Sequence, residues 1–140
     1  MHQATMEICQ EFDRVKIKYD VVDNQDRDFS YVDARYKAKT GAIVSIKFVS
    51  EDDDADVQVR AFSLAHVPDE RFGDVLKVIN NLNYTYRFVK FVIDRENDVA
   101  MEYDLPMNNA SIGRCATEML IRSMKIIDEA LPEIMHAIWA

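Results

Sequence analysis

The sequence predicts an α+β fold: one antiparallel sheet with helices packed on it. Three observations carry that reading. The strand-like segments come in hairpin runs and do not alternate singly with helices. Apolar residues recur every second position in those runs, and at spacings of three and four in three other segments. Only three Gly and three Pro occur in 140 residues, against about 17 of the two together at average usage, which excludes collagen-like and low-complexity chains. The length suits a single domain over 1–140, with the order α-(β)-βββ-α-ββ-α.

Residues 3–14 read as an amphipathic helix, with Ala4, Ile8, Cys9 and Phe12 on one face and no strong cap. From Lys16 the period becomes two. Ile17, Tyr19 and Val21 alternate with Lys18 and Asp20 in a short strand that enters the polar turn 23–28. In 30–39, Val32, Ala34, Tyr36 and Ala38 point inward, and Asp33, Arg35, Lys37 and Lys39 outward. Such alternation means one buried and one wet face. Thr40-Gly41 turns the chain, and Val44, Ile46 and Phe48 form the next inward row, ending at the acidic run 51–56. After Val57, Val59 and Ala61, the apolar positions continue with Phe62 and Leu64. That is a slip of one residue, which predicts a β-bulge near Ala61 and Phe62.

Pro68, followed by Asp69 and Glu70, fits the first helical position. It opens a helix over 68–83 whose single stripe is Phe72, Val75, Leu76, Ile79 and Leu82. Val89, Phe91 and Ile93, the turn 94–98, and Val99, Met101, Tyr103 and Leu105 make the last strand pair, ended by Pro106 and two asparagines. From Ser111 a long helix carries Ile112, Ala116, Leu120, Met124, Ile127 and Leu131. Met119, Ile121, Ile126 and Met135 broaden its stripe, through core packing or a homodimer contact. Pro132 predicts a kink, or a break with a second short helix after it.

Composition narrows function. The net charge is −8, from 25 acids against 17 bases, which disfavours a polyanion partner, so no nucleic acid is expected. The acids are unevenly placed: the turns 23–28, 51–56 and 94–98 hold 11 of them against Arg27 and Arg95, leaving the rest of the chain at 14 acids and 15 bases. No apolar run approaches the roughly 20 residues of a membrane span, and the N-terminal residues lack signal-peptide character. A cytoplasmic protein is expected.

Catalytic templates fail one by one. Cys9 and Cys115 lie on helix faces and read as small core residues. His2, His66 and His136 are scattered, and His66 reads as a half-buried hydrogen-bonding residue. No metal-ligand spacing, P-loop, dinucleotide fingerprint or nucleophile elbow occurs, so neither an enzyme nor a cofactor is expected. One weak metal reading stands on geometry. If the first four strands form a meander, the turns 23–28 and 51–56 emerge at the same end, and Asp26, Asp28, Asp52 and Asp54 could meet a divalent ion.

One segment carries a family resemblance: LNYTYRFVKFVIDRENDVAMEYDLPM, residues 82–107, preceded by VPDERFGDVLKVIN. The Pro-started helix, the Leu-Asn before an aromatic and Arg stretch, the Phe-centred strand ending in Asp and the acidic-apolar return strand resemble the YbjN family, labelled sensory transduction regulators of bacteria. Val89 departs from the Gly of many relatives. The resemblance implies a fold similar to type III secretion chaperones, with helices against a strongly curved sheet, commonly as a dimer, and it implies no catalytic residues. The leading expectation is therefore a non-enzymatic protein-binding or regulatory module, a homodimer, that offers apolar surface or a sheet edge to a partner segment. Tyr84, Tyr86 and Arg87 are its candidate contacts, since Tyr and Arg dominate interfaces. The alternative is a small-ligand sensor with a pocket between the last helix and the sheet, lined by Phe91, Met101, Tyr103 and Met124.

Overall fold

Three helix faces and one period-two sheet face account for the core. In a computed structural model that describes residues 1–51, 56–106 and 111–140, helix α1 spans Gln3–Val15, and four strands follow: β1 (Asp20–Asn24), β2 (Phe29–Lys37), β3 (Ile43–Ser50) and β4 (Asp56–His66). A 3-10 turn at Asp69–Arg71 leads into α2 (Phe72–Thr85). Strands β5 (Lys90–Ile93) and β6 (Asp98–Pro106) and helix α3 (Ile112–Trp139) complete the order. The strands form one six-stranded antiparallel sheet, β1-β2-β3-β4-β6-β5, so the first four are an up-and-down meander.

The inward rows behave as their alternation predicts. Val32 and Ala34, then Val44, Ile46 and Phe48, then Val57, Val59 and Ala61 are buried, because these positions share the face that meets the helices. Phe12 of α1 stands edge-on to Phe48, with ring centroids 5.8 Å apart. Helix α3 packs on α1 and α2 as well as on β4 and β6. This explains its broad stripe: Met119 is buried, Ile126 and Met135 rest on the core, and Ile121 remains 61% exposed. Where α3 starts against α1 the two backbones nearly touch, since a Cβ on Gly113 would lie 2.8 Å from Glu7 O and Glu11 Cβ.

The opposite face carries one row of charges in register across all six strands: Asp20, Asp33, Lys47, Arg60, Glu102 and Lys90. Direct cross-strand neighbours of opposite sign attract and those of like sign repel, and the row holds both. Arg60 is its best-held member, with Nη1 donating to Val59 O and Tyr103 O and paired with Asp104 at 3.0 Å. Asp33 departs from the predicted wet face. It is only 4% exposed, because its carboxylate accepts from Ser45 Oγ and from Arg35 Nε at 3.3 Å.

Five further expectations are corrected. The first strand starts at Asp20 and runs to Asn24, later than the alternation from Ile17 suggests. Ile17 and Tyr19 instead follow α1: Ile17 N–H donates to Phe12 O at 2.8 Å behind the left-handed Lys16, and Tyr19 Oη donates to Asp13 at 2.9 Å. The β4 irregularity is not a one-residue slip. Ala61 pairs with Met101 and Ala65 with Val99, so three residues of β4 oppose Ala100 alone, two more than the ladder needs. An even insertion preserves the inward parity, leaving Val67 buried and Phe62 56% exposed on the other side. Ser63 absorbs the distortion with φ 53°.

Pro68 has extended backbone and precedes the 3-10 turn, so it flanks the helix and does not begin it. The α2 stripe is likewise narrower than expected, with Val75, Ile79 and Leu82 buried and Phe72 and Leu76 exposed. Finally, of the kink or break expected at Pro132, the break does not occur: α3 continues through it as one helix, with no second short helix after it. Leu131 and Ile134 on either side of it are core residues, and their burial outweighs the loss of one backbone hydrogen bond.

Candidate functional site: an uncovered strand edge in an apolar groove

The late start of β1 has a structural consequence. Its pairing with β2 ends at Asp20 and Asp33, so residues 34–37 of β2 have β3 on one side and no strand on the other. Backbone direction follows from the hairpin that closes β2 and β3, where Ala38 N–H donates to Ala42 O at 2.8 Å. In an antiparallel ladder, alternate residues turn their N–H and C=O the same way, so Ala34 and Tyr36 face β3 while Arg35 and Lys37 face the uncovered side. An apolar groove of about 470 Å³ lies along that edge. The end of α1 and its exit (Val15, Ile17) form one wall, α3 (Leu120, Ile121, Met124) the other, and Ala34 and Tyr36 the floor. Tyr36 Oη donates to Met124 O at 3.3 Å, which ties the floor to α3. Burial and the nearby Asp128 push the Tyr36 hydroxyl pKa well up, so it stays a donor at neutral pH.

The edge strand at the far end of the sheet, β5, is closed at Phe91. Asn83 near the end of α2 accepts from Phe91 N–H at 2.8 Å and donates through Nδ2 to Phe91 O at 3.0 Å, occupying the strand's outward backbone as a neighbouring strand would. Lys90 Nζ caps the helix end, donating to Asn83 O at 2.8 Å and Tyr86 O at 2.7 Å. An open cleft of about 940 Å³ remains between α2 and β5, lined by Leu76, Asn80, Asn83 and Ile93 among others.

The sequence-derived residues fall in different places. Tyr84 is 93% exposed. Tyr86 and Arg87 share a shallow depression with Arg122, Lys125 and Glu129, and Tyr86 Oη donates to Glu129 at 2.7 Å, its pKa raised to about 12 by burial and that carboxylate. Of the four residues expected to line one pocket, Met124 lies in the groove and Phe91 in the α2–β5 cleft. Met101 and Tyr103 are core residues, and Tyr103 Oη bonds Ser123 Oγ at 2.8 Å. The groove thus sits between the last helix and the sheet, but toward β2. No periodicity signals Val15, Ile17 or Ile121 as groove walls.

His66 is not half-buried: it is exposed on the surface, with Nδ1 2.9 Å from Asp98 Oδ1. Cys9 and Cys115 are unpaired and half-buried against the core. Burial raises both thiol pKa values, the opposite of an activated nucleophile. The turns after β1 and β3 do share one end of the sheet, since His2 donates to Ser50 O at 2.8 Å and lies 3.1 Å from Asp28. Asp52 and Asp54, however, lie outside the described residues, and among those described no group of three or more His, Cys, Asp or Glu side chains could hold a metal ion. No helix among them is long and apolar enough to cross a membrane.

Compared with known proteins, residues 6–127 match the model of the YbjN family, described as "Putative bacterial sensory transduction regulator". No curated protein matches the chain, and no solved structure does.

Proposed function

This chain belongs to the YbjN family, and from that premise we propose that it is a non-enzymatic regulatory module that takes up an extended segment of a partner protein along β2. One observation carries the reading: the uncovered backbone of Arg35 and Lys37 runs beside an apolar groove. Strand addition needs both features, main-chain hydrogen bonds for affinity and side-chain pockets for specificity. Edges can otherwise be covered, as β5 is at Phe91. The likeness to type III secretion chaperones, a curved sheet and a homodimer belong to the same reading, supported by the element order and the resemblance over 82–107. Tyr84, Tyr86 and Arg87 are proposed as further contacts at the far end of α2.

The test is selection of short random peptides on the wild-type protein, followed by hydrogen exchange on the complex. Protection of the Arg35 and Lys37 amides, and loss of binding in Ile121→Lys, are expected. Selected peptides that protect other strands and bind the variant equally would overturn the proposal. A second reading rests on the groove's volume of about 470 Å³, which suits a small apolar ligand. It predicts thermal stabilisation by such a compound without protection of those two amides.

A further inference from the structure

We propose that the segment taken up along β2 is acidic, with Asp or Glu alternating with apolar residues. This deepens the strand-addition reading and rests on it. Charge along the groove is opposite to that of the whole chain. Residues 14–19 and 34–50 contain no Asp or Glu, yet they hold seven of the 17 bases. These two stretches supply one wall and the floor: Lys18 lines the groove beside Ile17, and Arg35 lines it between Ala34 and Tyr36. Lys16, Lys37 and Lys39 lie next to them in the chain, all exposed.

Most acids that flank this surface are already engaged; Asp13 accepts from Tyr19 Oη, while Asp20, exposed at the start of β1, has no ion-pair partner among the described residues. Asp33 holds Arg35 Nε and Ser45 Oγ, Glu11 pairs with Arg14 at 2.6 Å, and Asp128 accepts from Lys39 N–H at 2.9 Å. Lys16, Lys18 and Lys37 have no ion-pair partner among the described residues.

The alternation follows from strand geometry. A segment paired with Arg35 and Lys37 sends every second side chain toward the helices, into the walls formed by Val15, Leu120 and Met124. Its intervening side chains point to the opposite sheet face, the face to which the odd positions Arg35 and Lys37 belong. Carboxylates there meet cations across the strand pair, and apolar residues on the other parity are desolvated. Like-charge pairing in the same register repels, so a lysine-bearing segment is rejected by the same geometry.

The experiment uses three short labelled peptides of one apolar pattern, with Glu, Gln or Lys at the alternate positions, titrated by fluorescence anisotropy over a range of salt. The Glu peptide is expected to bind roughly tenfold more tightly than the Gln peptide at low salt, with the Lys peptide weakest and the differences shrinking as salt screens them. The exposed double variant K18E/K37E, checked for folding by circular dichroism, should reverse the order. Equal, salt-independent binding of the Glu and Gln peptides would overturn the acidic partner and leave the groove reading standing. Binding by none of the three would overturn both.

Discussion

The sheet ends in β1 and β5, and beyond the start of β1 residues 34–37 of β2 form a further free stretch; that stretch and the β5 edge at Phe91 are built in opposite ways. At β5, a single asparagine satisfies both outward backbone groups of Phe91, and Lys90 fastens the helix that presents it. At β2 the neighbouring chain turns aside at Tyr19, and apolar side chains line the opening where a strand would lie. Edge protection is therefore a local choice. It takes one amide side chain within reach of the strand.

Both edges depend on tyrosines whose pKa values are raised: Tyr19 and Tyr36 around the open edge, Tyr86 beside the closed one, and Tyr103 in the core between them. Burial is the leading cause in each. A tyrosine ionises near pH 10 when unfolded, so above that pH the unfolded chain releases protons first and stability falls. The contribution is complete below pH 10, declines through about 12 for Tyr86, and continues to decline for the others. Urea titrations at increasing pH should show stability flat near neutrality and collapsing above pH 10, the largest effect expected. A flat profile to pH 12 would show that these hydroxyls are solvated.

Asn83→Ala is next. It leaves a part-buried N–H and C=O of Phe91 unpaired and should cost about 2–4 kcal/mol, with loss of exchange protection at Phe91 as the local signature. Asn83→Asp retains the acceptor for Phe91 N–H and should cost less. If Asn83→Ala matches wild type, β5 is no better closed than β2 and the contrast fails. The smallest effect is Tyr36→Phe, which removes one long hydrogen bond to Met124 O and should cost about 0.5–1.5 kcal/mol in denaturant titration while keeping the groove floor apolar. A loss well above that would make Tyr36 a structural strut between β2 and α3.

Legibility in the sequence tracks the range of the interactions. The strands β2, β3 and β6 and the helix faces of α1 and α3 declare themselves through side-chain alternation, a local property. Asn83 stands in the segment that carries the family resemblance, but nothing in LNYTYRFVKF says that its amide reaches Phe91 eight residues on. The start of β1 is not legible, because Ile17 and Tyr19 alternate as a strand does and only their bonds to Phe12 and Asp13 draw them away. The side of Phe62 is not legible either, because a two-residue insertion around Ser63 cannot be told from a one-residue slip by hydrophobicity alone.

The sequence by itself determined the α+β class, the order of the elements, the inward rows of the meander and the family, because period, turn chemistry and motif are written in neighbouring residues. Tertiary structure alone decided which edge is closed and which is open, and that Lys18 and Arg35 stand on one groove. Those features depend on where α1 releases the chain and where α3 lies across the sheet. They follow from contacts among residues such as Tyr36 and Met124, 88 positions apart, which no local pattern encodes.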